Sequence, residues 1–328
     1  MSEGRPGYRS VTVTGATGFL GRALCQRLQS MQVRVRAAAR TPATGPWSEF
    51  MHIDLPDSVP AGLFTGVDIV YHLAGRAHAV ASTADAAVYD EVNRRGTEEV
   101  AQRAKAAGVK RFVFMSSVKA IGEPGQSLVR EDQASTATDP YGKSKHDAEL
   151  AIMRLHSTDF QVVALRPTLV YGPGAKGNLE SLLRLVRGGR RPPLPTLRNR
   201  RSLVGVNDLI TATLLAGSHP AAGGQAYTVT DGRVYSTTDI IEALAAATGV
   251  VRPAPFTLPV PVWRVAARLG DLAIGVTGGR WRYGSEALQR LLGNAEYEAR
   301  ALTEVMGYSA KESLSDLAGA MIRASHNN

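Results

Sequence analysis

The segment from Val11 to Gly21, Val-Thr-Val-Thr-Gly-Ala-Thr-Gly-Phe-Leu-Gly, constrains the fold of this chain more than any other. Val11 and Val13 alternate with threonines as in a short β-strand, and the apolar residues from Phe19 to Leu28 recur at helical spacing. Three glycines join the two elements. Gly15 permits a tight turn, Gly18 lets a pyrophosphate approach the backbone, and Gly21 lets the helix pack close to the strand. Since the amides of the first helical turn, around Phe19 and Leu20, point at such phosphates, the segment predicts a dinucleotide site.

Composition agrees with a globular protein that binds an anionic partner. The 328 residues are 44% hydrophobic and 20% charged, and 38 Lys and Arg against 29 Asp and Glu give a net charge of +9. This excess favours phosphorylated small molecules, nucleic acid or a membrane surface without choosing among them. The single cysteine, Cys25, excludes an intrachain disulfide.

Targeting signals do not stand out in the sequence. The first seven residues have no apolar core of the kind a signal peptide has, and the apolar stretch from Val260 to Val276 is interrupted by Arg264, Arg268 and Asp271. That pattern predicts an amphipathic helix that does not span a bilayer, so no integral membrane segment is expected. A reducing cytoplasm is the expected compartment.

Strands and helices alternate through the first half of the chain. We predict strands over Val33–Ala39, His52–Leu55, Val67–Leu73 and Arg111–Met115, and a helix over Tyr89–Ala107 that stops at Gly108. This alternation predicts an α/β fold with a doubly wound parallel sheet. Ligands bind such sheets beyond the carboxyl ends of the strands. We therefore expect cofactor contacts at the strand ends, from Asp54 and Leu55, Leu73, Ala74 and Gly75.

The end of the second strand bears on the choice of cofactor. An acidic residue there binds the ribose hydroxyls of NAD, whereas an arginine accommodates the 2′-phosphate of NADP. The chain has Ala38, Ala39 and then Arg40. We therefore favour NADP(H), with NAD(H) left open.

Tyr141 and Lys145 are the candidate catalytic pair. They are four residues apart in a helix predicted from Tyr141 to Leu155, so their side chains share one helical face. A lysine cation there, together with an oxidised nicotinamide, is expected to lower the pKa of the tyrosine and make it a general acid or base. Ser117, which follows the strand Arg111–Met115, can hydrogen-bond the same substrate oxygen.

Together these motifs resemble the extended short-chain dehydrogenase/reductases, the NAD(P)-dependent epimerase/dehydratase family. The resemblance covers nearly the whole chain. It rests on Thr14–Gly21, Tyr71–Gly75, Val92-Asn93 with Gly96-Thr97, Ser116-Ser117, Tyr141 with Lys145, Leu165–Pro167, Val170–Gly174 and Arg201–Val204.

The resemblance implies roles for individual residues. Tyr141 is implied as acid/base, Lys145 as the group that holds the nicotinamide ribose, and Ser117 as the third catalytic residue. Further cofactor contacts are implied at Asn93 and Pro167, and substrate contacts at Lys119, Asn178 and Arg201, with Arg201 gripping a nucleotide diphosphate. Family members commonly form homodimers through helices such as the two predicted here.

Ser117 is followed by Val118 and Lys119, whereas the dehydratases of this family carry Asp-Glu after the catalytic threonine. Dehydration is therefore not expected. Ser116–Glu123, Tyr171–Asn178 and Asn199–Leu203 are similar to the bacterial UDP-N-acetyl-hexosamine epimerase and UDP-4-keto-6-deoxy-sugar reductase branch, which serves surface polysaccharide synthesis. Because Arg40 favours NADP(H), we favour a UDP-sugar 4-ketoreductase over a 4-epimerase. A non-catalytic NADP(H)-binding regulator and a ketone or flavonol-type reductase stay open.

The second half of the chain is expected to supply the substrate site. We predict a nucleotide-binding domain over residues 1–171, to which later segments return, and a smaller substrate lobe mainly over 172–328. Arginines cluster in this lobe at positions 184, 187, 190, 191, 198, 200 and 201. Nucleic-acid binding is the rival interpretation, but no aromatic residue is interleaved for base stacking and three prolines interrupt the run, so we expect no nucleic-acid partner.

Two smaller predictions concern helices in the second half of the chain and the role of two histidines. A helix over Asp239–Thr248 is expected, capped by Thr237 or Thr238, with another around Leu288. His72 and His78 lack acidic or cysteine partners at ligand spacing, so we expect packed or solvated histidines and no metal site.

Overall fold

The computed structural model describes residues 7–77, 83–123, 125, 128–175, 178–187, 195–249, 257–277 and 285–324. The strands in these ranges are β1 Ser10–Thr14, β2 Arg34–Ala39, β3 Glu49–His52, β4 Ile69–His72, β5 Arg111–Met115, β6 Gln161–Pro167, β7 Leu169–Tyr171, β8 Arg201–Gly205, β9 Gln225–Val229 and β10 Val234–Tyr235. The helices are α1 Phe19–Ser30, α2 Thr83–Tyr89, α3 Gly96–Ala106, α4 Pro140–Met153, α5 Asn178–Arg187, α6 Val206–Ser218, α7 Thr237–Ala247, α8 Val260–Thr277, α9 Ser285–Leu292, α10 Ala301–Met306 and α11 Leu314–Ala324.

A seven-stranded parallel sheet organises the molecule. Its strand order is β3-β2-β1-β4-β5-β6-β9, which places β1 and β4 side by side although β2 and β3 lie between them in sequence. The order reverses direction at β1, and ligands of doubly wound sheets bind beside such a reversal, at the carboxyl ends of the strands. The predicted doubly wound sheet is therefore confirmed.

Helices cover both faces of the sheet. On one face Val11 and Val13 of β1 pack against α1, α6 and α10, and on the other face α3 and α4 cover β5 and β6. β1 and β5 are buried almost throughout, as expected for parallel strands with helices on both sides. Cys25 lies in the first of these cores, and burial raises the pKa of its thiol to about 12.

A second group of elements follows β6. β7, β8 and β10 form a small three-stranded sheet, which packs with α5, α7 and α11 around a separate apolar core. β9 lies later in the chain but pairs with β6 in the large sheet, and α6 packs on α1. Segments after residue 171 therefore contribute to both structural groups.

The third strand and the helix predicted from Tyr89 differ most from the sequence-based boundaries. The third strand spans Glu49–His52 rather than 52–55, because the β2–β3 register pairs Arg36 with Glu49 and ends at His52. The helix predicted from Tyr89 begins at Thr83 and contains a π-helical turn over Asp90–Arg95 before α3.

The cap of α7 also differs from its prediction. Ser236 caps the helix, and Asp239 completes a capping box by accepting a hydrogen bond from the Ser236 amide. Thr237 instead donates to the carbonyl of Leu291, and Thr238 accepts from the amide of Leu197. Both threonines thus tie α7 to neighbouring segments.

Candidate functional site

The glycine turn after β1 has a shape that only glycines permit. Gly15 has φ +68°, and a Cβ there would lie 2.7 Å from the Ala74 amide nitrogen. A Cβ on Gly21 would overlap the Gly15 carbonyl oxygen. Gly18 precedes α1 as its N-cap, where the unpaired amides of the first turn, including those of Phe19 and Leu20, begin. The turn therefore packs against the end of β4, and the N-terminus of α1 follows it directly. A glycine turn followed by a helix N-terminus is suited to bind a pyrophosphate.

The end of β4 lies next to this turn and next to the predicted catalytic lysine. The Ala74 amide, just after Leu73, donates to Thr14 Oγ1 at 3.2 Å. A Cβ on Gly75 would lie 3.0 Å from Asn93 Oδ1 and 3.3 Å from Lys145 Nζ. Gly75, Asn93 and Lys145 therefore enclose a space that a larger residue would fill.

Asn93 is held rigidly in this place. It accepts a hydrogen bond from the Arg76 amide at 2.8 Å and donates to the Arg76 carbonyl at 3.0 Å and to Ser144 Oγ at 3.1 Å. It lies in the π-helical turn, a distortion that often occurs at functional sites.

The residues predicted at the adenosine end lie at the ends of β2 and β3. Arg40 follows β2 directly and is exposed. Asp54 is exposed in the turn after β3, where its backbone pairs with Ser58, and Leu55 packs on Gly96. Cofactor contacts of Asp54 and Leu55 stay predictions.

Ser117 and Tyr141 meet where β5 and α4 approach each other. Tyr141 lies in the first turn of α4, which Asp139 caps by accepting from the Gly142 amide. Its side chain hydrogen-bonds that of Ser117. Burial raises the pKa of Tyr141 to about 12, although the bond to Ser117 opposes the shift. The lowered pKa expected from the sequence requires the nicotinamide charge as well as Lys145, and the chain alone holds the phenol protonated.

Lys145 lies one helical turn further along α4 and is buried. Its Nζ donates to the Met115 carbonyl at 2.9 Å and lies 4.6 Å from the centre of the Phe114 ring. Burial lowers the pKa of Lys145 to about 8, and the charge of Glu149 opposes this shift. The ammonium group is therefore close to its titration range near neutral pH.

Glu149 anchors this face of α4 and was not singled out from the sequence. It accepts a hydrogen bond from Ser116 Oγ at 2.5 Å and pairs with Arg166, whose Nη2 lies 2.6 Å from Oε2. Tyr141, Lys145 and Glu149 follow one another at intervals of four residues, a spacing that places all three on one helical face. That spacing is the sequence signal that could have identified Glu149.

Tyr89 is the second residue that sequence reasoning missed as part of the site. Its ring stands edge-on to that of Tyr141, with 5.8 Å between ring centres, and it is only 3% exposed. Tyr89 ends α2, and it contacts Tyr141 because α2 and α4 pack together. No local pattern in the sequence links the two tyrosines.

His72 is packed beside Thr14, next to the glycine turn. Its ring nitrogens bond Thr14 Oγ1 at 2.8 Å and Thr97 Oγ1 at 3.0 Å, and its ring stacks on Phe112 and Phe114. Burial, with a smaller effect of the Lys145 charge, lowers the pKa of His72 to about 3. His78 lies outside the described residues. Within the part of the chain that the structure describes, no three His, Cys, Asp or Glu side chains are grouped to hold a metal.

The predicted substrate residues come from three separate segments of the chain. Lys119 pairs with Glu123 at 2.8 Å and lies 3.8 Å from Asp139, near the start of α4. Arg201 begins β8, half-buried, and donates to the Gly293 carbonyl at 3.1 Å. Asn178 begins α5, but its side chain lies outside the described part.

The remaining predicted residues lie at the end of β6, in the segment before β8 and in undescribed segments. Pro167 is buried at the end of β6. Arg200 pairs with Glu296, and Arg198 is exposed in the segment before β8. Arg190, Arg191 and the side chains of Arg184 and Arg187 lie outside the described residues.

Comparison with known proteins identifies the family. The profile of the NAD dependent epimerase/dehydratase family matches residues 11–230, more than half of the chain. The protein belongs to this family, as the sequence motifs predicted, and it is an NAD(P)-dependent enzyme.

Its relatives include both epimerases and reductases. The chain is 33% identical over 318 residues to a UDP-glucose 4-epimerase of Vibrio cholerae, covering 94% of this chain and 93% of the relative. It is 28% identical to a 2-alkyl-3-oxoalkanoate reductase of Stenotrophomonas maltophilia, covering 74% of this chain and 76% of the relative.

A solved structure confirms the fold. The UDP-glucuronic acid 4-epimerase of Bacillus cereus, in complex with NAD, superposes with a TM-score of 0.75 at 21% identity, covering 97% of this chain and 99% of that one. Among the described residues, no helix combines the length and apolarity needed to cross a membrane.

Proposed function

We propose that this enzyme reduces the 4-keto group of a UDP-linked acetamido sugar with NADPH. The observation that supports the proposal is a protonated Tyr141 bonded to Ser117, beside the space that Gly75, Asn93 and Lys145 enclose. A reductase begins with a protonated acid next to the carbonyl oxygen. The phenol of Tyr141 is protonated at neutral pH and burial raises its pKa further, which is compatible with that requirement.

The chain's own residues supply the proton and the positioning. A bound reduced nicotinamide supplies the hydride that C4 receives. Tyr141 gives its phenolic proton to the oxygen on C4, and the Ser117 hydroxyl donates a hydrogen bond to the same oxygen. Ser117 Oγ accepts from the Lys119 amide at 3.2 Å, so its own proton points elsewhere. The Lys145 ammonium stabilises the tyrosinate that remains.

The residues present fit a nicotinamide dinucleotide. The glycine turn and the first turn of α1 would hold the pyrophosphate, Lys145 the nicotinamide ribose, and Arg40 a 2′-phosphate. Arg40 is exposed, and Ala38 and Ala39 before it supply no carboxylate for a ribose hydroxyl. We therefore propose a preference for NADPH over NADH.

A 4-epimerase is the second candidate, and it is supported by the Vibrio cholerae relative, which aligns over 94% of this chain. An epimerase begins by taking a proton from the 4-hydroxyl and must keep its cofactor through two opposite hydride steps. The same Tyr141, Ser117 and Lys145 would serve both reactions.

The deciding experiment is oxidation of NADPH or NADH by purified protein given UDP-2-acetamido-2,6-dideoxy-4-hexulose. Stoichiometric oxidation with a preference for NADPH is expected. Conversion of UDP-N-acetylglucosamine without added cofactor, and with no NADPH oxidation on the ketone, would replace the reductase by the epimerase.

Variants separate the remaining possibilities. Tyr141→Phe is expected to lose turnover by about 100-fold or more while binding cofactor normally. A non-catalytic regulator would be indifferent to this change. Arg40→Ala is expected to weaken the binding of NADPH but not that of NADH. Arg34→Ala, at the other end of β2, is the matched control.

The substrate and the assembly are tested separately. If Arg201 binds a diphosphate, Arg201→Ala raises the KM for the UDP-sugar, whereas a flavonol-type ketone reductase would be unaffected. Homodimerisation through α3 and α4 is a further part of the proposal, and light scattering of the purified protein tests it.

A further inference from the structure

Helix α8 carries an apolar stripe on its outer face. Val262, Val265 and Leu269 are 44%, 58% and 61% exposed, and they follow one another at intervals of three and four residues. Ala267, on the other side of the helix, is buried. An apolar side of α8 therefore faces outward, whereas the apolar side of a surface helix ordinarily faces the core.

This stripe is concentrated compared with the rest of the surface. Across the described ranges six large apolar side chains are exposed, and three of them lie on α8. The other three are far apart in the chain: Leu150 lies on α4, Val234 on β10, and Leu128 in the segment between β5 and α4. Isolated exposed apolar residues need no explanation, whereas a contiguous row indicates an interaction surface.

The charges beside the stripe are positive. Arg264 and Arg268 are exposed and lie one turn apart along the same flank of α8. The only acidic residue of the helix is Asp271, and its Oδ1 accepts a hydrogen bond from the Ser285 amide at 3.0 Å. That carboxylate is therefore engaged at the start of α9.

We propose that α8 docks this enzyme on an anionic membrane surface, with its axis in the plane of the interface. The apolar stripe would enter the boundary between headgroups and acyl chains, and the two arginines would contact lipid phosphates. The net charge of +9 draws the whole chain toward the same surface. An apolar protein partner would not need the flanking arginines, and they are the reason for choosing a bilayer. The proposal holds for either C4 reaction.

Vesicle co-sedimentation tests the proposal. We compare vesicles of phosphatidylcholine alone with vesicles that also contain phosphatidylglycerol, at low and high salt. Binding is expected only to the mixed vesicles and is expected to weaken with salt. The double variant Val265→Glu, Leu269→Glu is expected to bind them about tenfold more weakly or not at all. Val234→Glu, on β10, is the matched control and is expected to bind like the unchanged protein.

Three results would overturn the inference. The first is that the unchanged protein does not bind mixed vesicles. The second is that Val234→Glu weakens binding as much as the α8 variant does. The third is that Leu269→Glu only converts a larger oligomer to a smaller one in light scattering. The last result would assign the stripe to contacts between copies. Urea denaturation of the α8 variants is expected to match that of the unchanged protein, which shows that they are folded and keeps this test separate from that of the proposed activity.

Discussion

Gly15 and Gly66 form a natural pair for testing the cofactor turn. Both have φ +68°, but a Cβ on Gly66 meets nothing within 4 Å, whereas one on Gly15 lies 2.7 Å from the Ala74 amide nitrogen and 2.8 Å from the Leu73 carbonyl carbon. Alanine in this left-handed region costs about 1–2 kcal/mol at either position. Only Gly15 adds an overlap with backbone, which costs about 1–3 kcal/mol more because the strand end must move.

We therefore expect Gly15→Ala to lose about 2–5 kcal/mol of unfolding free energy and Gly66→Ala about 1–2 kcal/mol. Urea denaturation of both variants measures the difference. Gly66 precedes the amino end of β4, whereas Gly15 follows the carboxyl end of β1, and the two strands are parallel neighbours. Gly66→Ala is therefore expected to bind NADPH normally. Gly15→Ala moves the turn and is expected to bind at least about tenfold more weakly, equivalent to about 1.4 kcal/mol.

The comparison can refute this reasoning in two ways. Equal destabilisation of the two variants would show that the close approach of β4 to Gly15 contributes nothing beyond the backbone conformation. Unchanged NADPH affinity in Gly15→Ala, titrated by the fluorescence of the bound cofactor, would show that the turn is not the pyrophosphate site.

Three further predictions concern side chains around the site. Since the pKa of Lys145 is about 8, kcat/KM is expected to fall as the pH rises through 8, and a profile flat to pH 10 would contradict a role for its cation. Glu149→Gln removes the charge that raises the pKa of Lys145, so kcat/KM is expected to fall at lower pH in this variant. The same change breaks the buried pair with Arg166 and is expected to lower the unfolding free energy, measured in urea, by about 3 kcal/mol. Tyr89→Phe keeps the ring contact with Tyr141 and is expected to retain kcat, whereas Tyr89→Leu is expected to lower it at unchanged cofactor affinity; equal kcat in both variants would exclude a positioning role.

Much of the geometry of the candidate site could be predicted because its signals are local. The glycine turn, the strand ends and the Tyr141–Lys145 spacing each depend on residues within a few positions of one another, and backbone sterics and the helical period fix what such patterns can form. The third strand was misplaced because its first residue, Glu49, is charged and does not look like the start of a strand in the sequence. Its pairing with Arg36 across the β2–β3 ladder becomes visible only when the register is known.

The sequence by itself therefore determined the fold class, the glycine turn after β1 and the helical face that carries Tyr141 and Lys145. Tertiary structure alone decided which distant residues complete the site. Tyr89 touches Tyr141 because α2 packs on α4, and Arg166 reaches Glu149 because β6 lies beside β5 under α4. It also decided the titration of the site, since the depressed pKa of Lys145 follows from burial. Contacts and burial depend on how remote segments pack, and no spacing within one segment contains that information.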